Sequence, residues 1–163
     1  MAQVFISLGT NVDRELHVKQ GLTALAERYG ELTLSSLFES EAVGFAGSAF
    51  YNMVIGLQTD ESVESVAACL REIEYANGRS PNAKKYSPRT LDLDLLLFDD
   101  CIMEQPAQIP RDEICRNAFV LWPLAEIAGD LLHPVIRQSY HDLWQAYDKS
   151  SQKLQKIPLN WQP

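Results

Sequence analysis

The 163-residue chain reads as an α+β domain, and three patterns carry that reading. Short runs with strand-like alternation and two longer amphipathic stretches with helical spacing follow one another in the order β-α-β-β-α-β. Glycine and polar corners separate them where each element should stop. A third block of helical patterning fills the last third. That order is the split βαβ, ferredoxin-like arrangement: a four-stranded antiparallel sheet with both helices on one face, here followed by additional C-terminal helices.

Taken in order, Val4 to Leu8 is an apolar run halted by Gly9, Thr10 and Asn11, which predicts a first, central strand. The corner itself serves equally as a plain strand-to-helix turn or as a set of exposed N–H groups for a ligand. From Arg14 to Tyr29, Val18, Leu22, Leu25 and Tyr29 recur at spacings of four, three and four, and Gly30 closes the helix. Leu32 to Glu39 alternates as a second strand. Residues 40–50 have no period and read as a lid or a mobile connector. Tyr51 to Thr59 is the third strand, with Asn52 near its start, either a turn cap or an amide able to read a heterocycle edge. After Asp60, Glu61 and Ser62, a second helix runs to about Asn77 on the stripe Val63, Val66, Ala67, Leu70, Ile73 and Glu74. Glu74 is thus an acid on the shoulder of a buried stripe. The fourth strand, Thr90 to Phe98, turns Leu91, Leu93, Leu95 and Leu97 toward the helices and Thr90, Asp92 and Asp94 the other way. Beyond it, Arg111 to Ala128 and Ser139 to Tyr147 are helical, and the polar tail from about residue 150 is expected to be loosely held.

Composition bounds the function. Hydrophobic residues make up 46% and charged residues 22%, as in an ordinary globular domain, so one domain spanning 1–163 is expected. A net charge of −8 argues against nucleic acid and anionic membranes as partners. Cys69, Cys101 and Cys115 have no metal or disulfide spacing, and the amino terminus lacks the pattern of an export signal. These features predict a cytoplasmic protein. His17, His133 and His141 are expected to be structural, and no leftover apolar stripe calls for a partner subunit, so a monomer is expected.

The chemistry concentrates at residues 79–99. Carboxylates at i and i+2 on one strand face lie roughly 6 to 7 Å apart and repel. A bound cation relieves that repulsion. Arg79, Lys84, Lys85 and Arg89 crowd the loop just upstream, four of the chain's 14 Lys and Arg. Paired acids beside clustered cations fit a site where Mg²⁺ sits on the acids and a polyphosphate on the basic loop. The plain alternative is the solvent face of an amphipathic strand.

PRTLDLDLLLF at 88–98, with FVLWPLAEIA at 119–128, SLGTN at 7–11 and Tyr51-Asn52, resembles the 6-hydroxymethyl-7,8-dihydropterin pyrophosphokinases of folate biosynthesis over nearly the whole chain. The resemblance implies transfer of the terminal diphosphate of ATP to the pterin hydroxymethyl group, with release of AMP. It implies that Asp92 and Asp94 hold two Mg²⁺ ions, and that Arg79, Lys85 and Arg89 contact phosphates. Glu74 and Tyr86 would serve the nucleotide, and Val43, Asn52 and Phe119 the pterin. Where the family commonly has a histidine after Pro110 this chain has Arg111, and the family's arginine two residues before the Phe119 position is Asn117, with Arg116 one place earlier. One residue turns a helical side chain by about 100°, which puts in question whether Arg116 reaches the same phosphate; Arg111 and Arg116 are both candidates at the nucleotide, with Arg111 able to compensate as a phosphate binder of a different shape. Two other readings keep the same acids: a two-metal phosphohydrolase, and a diverged pterin- or nucleotide-binding regulator.

Overall fold

The structure, a computed structural model, describes residues 1–40, 49–78, 90–150 and 152–163. Val43, Arg79, Lys85, Tyr86 and Arg89 lie outside the described residues, as does most of the expected lid.

Strand β1 (Ala2–Thr10) leads into helix α1 (Arg14–Tyr29), which Gly30 ends at φ 81°, a backbone angle suited to glycine. Strands β2 (Thr33–Leu34) and β3 (Leu37–Ser40) replace the single second strand expected over 32–39. The break has a visible cause. Ser36 donates both its backbone N–H and its hydroxyl to the Glu126 carboxylate at 2.8 Å, while the Ser35 hydroxyl accepts the Val54 N–H. Strand β4 (Phe50–Thr59) is followed by α2 (Val63–Ala76), capped by the Ser62 hydroxyl on the Ser65 N–H, and then by β5 (Asp92–Phe98).

With β6 (Leu154–Ile157), the strands pair antiparallel in the order β5-β1-β4-β3-β6, with β2 also on β4, so the sheet has six strands rather than four. Its inner order, β5-β1-β4-β3, is that of the expected fold. The two extra strands have simple origins: the broken second strand counts as two, and β6 pairs with β3. The stretch expected to be loosely held thus supplies a strand, and beyond it Trp161 donates its indole N–H to Thr23 on α1 at 3.1 Å. Leu159 and Trp161 also pack on the main core, which supplies the apolar burial that the polar composition of the tail conceals.

Helices α1 and α2 bury Val18, Leu22, Leu25, Val66 and Leu70 against Ile6, Leu8, Ile55 and Leu93 on one face. The other face is covered by α3 (Glu113–Arg116), α4 (Ala118–Ala128) and α5 (Tyr140–Ala146), whose Ile114, Leu121, Leu124 and Tyr140 meet Phe5, Val54, Leu96 and Leu97. The helix expected over 111–128 is split at Asn117, whose backbone is extended at φ −121°, ψ 123°. Leu97 is a second correction. The register of β5 on β1 shifts between Phe5 and Ile6, which oppose Leu97 and Leu95, leaving Leu96 as an extra, bulged residue. Leu96 and Leu97 therefore both join the second cluster, while Leu91, Leu93 and Leu95 keep the helix-facing side the alternation assigns them.

Candidate active site

Strand β5 is the rim of the sheet, and among the described residues no strand neighbours one edge of its backbone. Two residues cover it. The Glu74 carboxylate on α2 accepts the Leu93 N–H at 2.8 Å, and the Arg111 N–H donates to the Leu96 carbonyl at 3.0 Å. Glu74 is only 4% exposed, so its place is within the buried stripe and not on its shoulder. These bonds fix the strand that carries Asp92 and Asp94.

Residues directly opposite one another in a sheet share a face. Gly9 pairs with Asp92 on one side and Asn52 on the other, and Asn52 pairs with Phe38, so Asp92, Gly9, Asn52 and Phe38 form one row across four strands. Asp94, Ser7 and Val54 form the next row. With strands about 4.8 Å apart, Asp92 and Asn52 are separated by roughly 10 Å with only a glycine between them. A Cβ at Gly9 would stand 3.2 Å from the Asn52 Oδ1 and 4.0 Å from the Phe50 ring, so the missing side chain leaves a flat floor. Asn52 is buried and donates its amide N–H to the Ser40 hydroxyl at 2.8 Å, which fixes the orientation of the amide.

A cleft of about 480 Å³ wraps the rim, lined by Arg71, Glu74, Asp92, Asp94, Arg111 and Glu113 among others. Its electrostatics are strained. Burial, then the adjacent Asp92 charge, push the Asp94 carboxyl up to about 8, with Glu113 and Glu74 adding to the rise and Arg111 opposing it. The Arg111 guanidinium lies 3.6 Å from Asp94 and 2.8 Å from Glu113. Burial works against its charge, but Asp94 and Glu113 outweigh that and hold its pKa raised.

The structure thus brings Glu74, Asp92, Asp94 and Arg111 to one cleft and places Asn52 on the same sheet face. Arg116 is not with them: it is exposed and paired with Asp112 at 3.1 Å. Phe119 lies in the first turn of α4, half-buried against the second core cluster. His17 and His133 bond to nearby backbone, His17 to the Val12 carbonyl and His133 Nδ1 accepting the Val135 and Ile136 N–H groups. Three contributors escaped the sequence reading. Phe50 shares the face of Asn52 by period two, a signal available in the sequence. Arg71, one turn before Glu74, and Glu113, the first residue of α3, carried no such signal.

Among the described residues no group of three or more His, Cys, Asp or Glu side chains is arranged to hold a metal. The donor set that does fit is the Asp92–Asp94 pair: two hard oxygen ligands whose mutual repulsion a divalent ion relieves, as Mg²⁺ bound by one or two carboxylates plus phosphates requires.

Comparison with known proteins identifies the family. Residues 5–129 match the 7,8-dihydro-6-hydroxymethylpterin-pyrophosphokinase (HPPK) family. The chain is 30% identical over 141 residues to the 2-amino-4-hydroxy-6-hydroxymethyldihydropteridine pyrophosphokinase of Aquifex aeolicus, covering 85% of this chain and 88% of that one. It is 34% identical over 129 residues to the enzyme of the same name from Bacillus subtilis, covering 76% of each. A Plasmodium falciparum HPPK-DHPS crystal structure superposes with a TM-score of 0.70 at 14% identity, over 88% of this chain; the chain spans 42% of that protein's length, and at this identity the likeness speaks for the fold. No helix among the described residues is long and apolar enough to cross a membrane. The chain therefore belongs to the 7,8-dihydro-6-hydroxymethylpterin-pyrophosphokinase family, the ATP-using diphosphotransferases of folate biosynthesis.

Proposed function

We propose that the cleft transfers the terminal diphosphate of ATP to the hydroxymethyl oxygen of 6-hydroxymethyl-7,8-dihydropterin, leaving AMP, and that the reaction is assembled on the row Asp92–Gly9–Asn52. That row is the observation carrying the reading. It sets Asp92, with Asp94 in the next row, and a fixed amide roughly 10 Å apart on one face, with bare backbone at Gly9 between Asp92 and the amide, which suits a flat heterocycle whose hydroxymethyl arm points at the acids.

Asn52 reads the donor and acceptor edge of the ring, and the rings of Phe50 and Phe119, with Val43, supply its apolar walls. Asp92 and Asp94 would hold two Mg²⁺ ions, which when bound neutralise charge on the triphosphate and polarise the acceptor hydroxyl. Arg111, already in the cleft, and Arg79, Lys85 and Arg89 from the basic loop are the phosphate cations. Tyr86 and Glu74 serve the nucleotide side, Glu74 by holding β5 in place through Leu93. Arg116 is turned to Asp112 and is the weakest of the nucleotide candidates. No protein nucleophile is needed, because diphosphoryl transfer rests on in-line placement and charge neutralisation. The protein is read as a cytoplasmic monomer acting on small molecules.

The test is AMP formation from ATP with Mg²⁺, with and without the pterin. AMP that appears only with pterin supports the proposal; phosphate or AMP release without pterin would make the cleft a phosphohydrolase. Asp92→Ala and Asp94→Ala should each lower the rate about a thousandfold or more, with the far-UV circular dichroism unchanged.

A further inference from the structure

Glu113 is a fourth acid in a cleft that already holds Glu74, Asp92 and Asp94. It adds to the repulsion at Asp94, yet it is not one of a metal-holding cluster among the described residues. Its contacts point elsewhere. Glu113 Oε1 accepts from Arg111 Nε at 2.9 Å and lies 2.8 Å from Arg111 Nη2, while Oε2 accepts from Asn117 Nδ2 at 3.2 Å. The chain of bonds continues: Asn117 Oδ1 accepts from Gln152 Nε2 at 3.1 Å, and Gln152 Oε1 accepts the Ala118 N–H at 2.7 Å. Gln152 stands two residues before the start of β6, which is anchored on β3.

We propose that Glu113 is a positioning residue that aims Arg111 at the polyphosphate, and that Asn117 and Gln152 brace it so that the C-terminal segment takes part in holding ATP. The geometry gives Arg111 two anchors of different strength. The Glu113 contact uses two nitrogens at normal hydrogen-bond lengths, whereas Asp94 lies 3.6 Å away, outside a hydrogen bond. Arg111 can therefore exchange Asp94 for a phosphate oxygen while Glu113 keeps hold of the guanidinium. An arginine held from one side loses less conformational freedom on binding a phosphate, which is the advantage of preorganisation. The break at Asn117 serves the same end, since it frees the Asn117 side chain to bridge Glu113 and Gln152.

This inference rests on the proposed transfer reaction, and a double-mutant cycle separates the two. Glu113→Gln should raise the KM for ATP about tenfold, the loss expected for one charge-assisted contact, with the KM for pterin little changed. Glu113→Asp should recover part of that loss. In an Arg111→Ala background, Glu113→Gln should have no further effect on ATP. Titration of each protein with a non-hydrolysable ATP analogue and Mg²⁺ provides the same comparison without turnover. Gln152→Ala, which removes bonds to Asn117 and Ala118 and none to the acids of the cleft, should weaken the analogue about threefold and guards against a Glu113 variant that fails to fold. A Glu113→Gln effect that persists without Arg111, or an unchanged analogue affinity in both Glu113→Gln and Gln152→Ala, would overturn the positioning role. Absence of pterin-dependent AMP in the parent protein would instead sink the transfer reaction itself.

Discussion

The Asp94 carboxylate is partly buried, with a like charge two residues away and, among the described residues, the Arg111 guanidinium as the cation beside it, at 3.6 Å. The direction of its pH dependence follows. An unfolded aspartate titrates near 3.9, whereas in the fold Asp94 titrates at about 8, so between those values the folded state holds a proton that the unfolded state has released. Stability from this group is therefore full below about pH 4 and is lost as the pH rises toward 8. Asp94→Asn in metal-free protein should raise Tm at pH 8 by a few degrees and leave it nearly unchanged at pH 4; calorimetry at the two pH values checks this, and saturating Mg²⁺ should favour the parent instead. Gly9 makes the opposite kind of demand, for emptiness. Gly9→Ala sets a methyl 3.2 Å from the Asn52 Oδ1, and steady-state kinetics should show the pterin KM raised about tenfold with the ATP KM nearly constant. Alternation alone revealed that Asp92 and Asp94 share a face. That Asp92 also shares a row with Gly9 and Asn52 depends on the pairing of strands far apart in the chain, which no local pattern encodes.

At the scale of elements, the strand and helix positions were largely legible because period two and period 3.6 are both strong in this chain. The failures have local physical causes. A bulge at Leu96 interrupts a four-leucine alternation that looks unbroken, because every residue from 95 to 97 is leucine and the pattern has no marker of the extra one. The second strand breaks where Glu126, 90 residues away, draws off the Ser36 N–H. Glu74 read as a surface acid because glutamate is seldom fully buried, and only the rim strand explains why it is. Glu74→Ala should leave the Leu93 N–H without its acceptor and lower stability by about 1–3 kcal/mol. Glu74→Gln, which retains an oxygen acceptor, should lose less. Urea midpoints for the two variants, with unchanged m-values, give the comparison.

For the molecule as a whole, the sheet is closed at its two borders by different means. On the far border, β6 pairs with β3, and the tail runs on to α1 through Leu159 and Trp161. Removing residues 151–163 should strip that strand, lower Tm by roughly 5 °C or more and expose the β3 backbone, as hydrogen exchange at Leu37 to Ser40 would record. Charge gave no hint of this role, because the tail's energy lies in a few apolar side chains and backbone pairing. On the near border, no strand is added beyond β5 among the described residues; the Glu74 side chain and the Arg111 backbone occupy its outward-facing groups instead. An uncovered ribbon of that kind is a template on which a second copy can stack, the first step of a growing fibril. The two residues that steady the strand carrying Asp92 and Asp94 thus also blunt the border it forms, so that holding that strand in place and keeping this border from assembling with another copy are a single structural task.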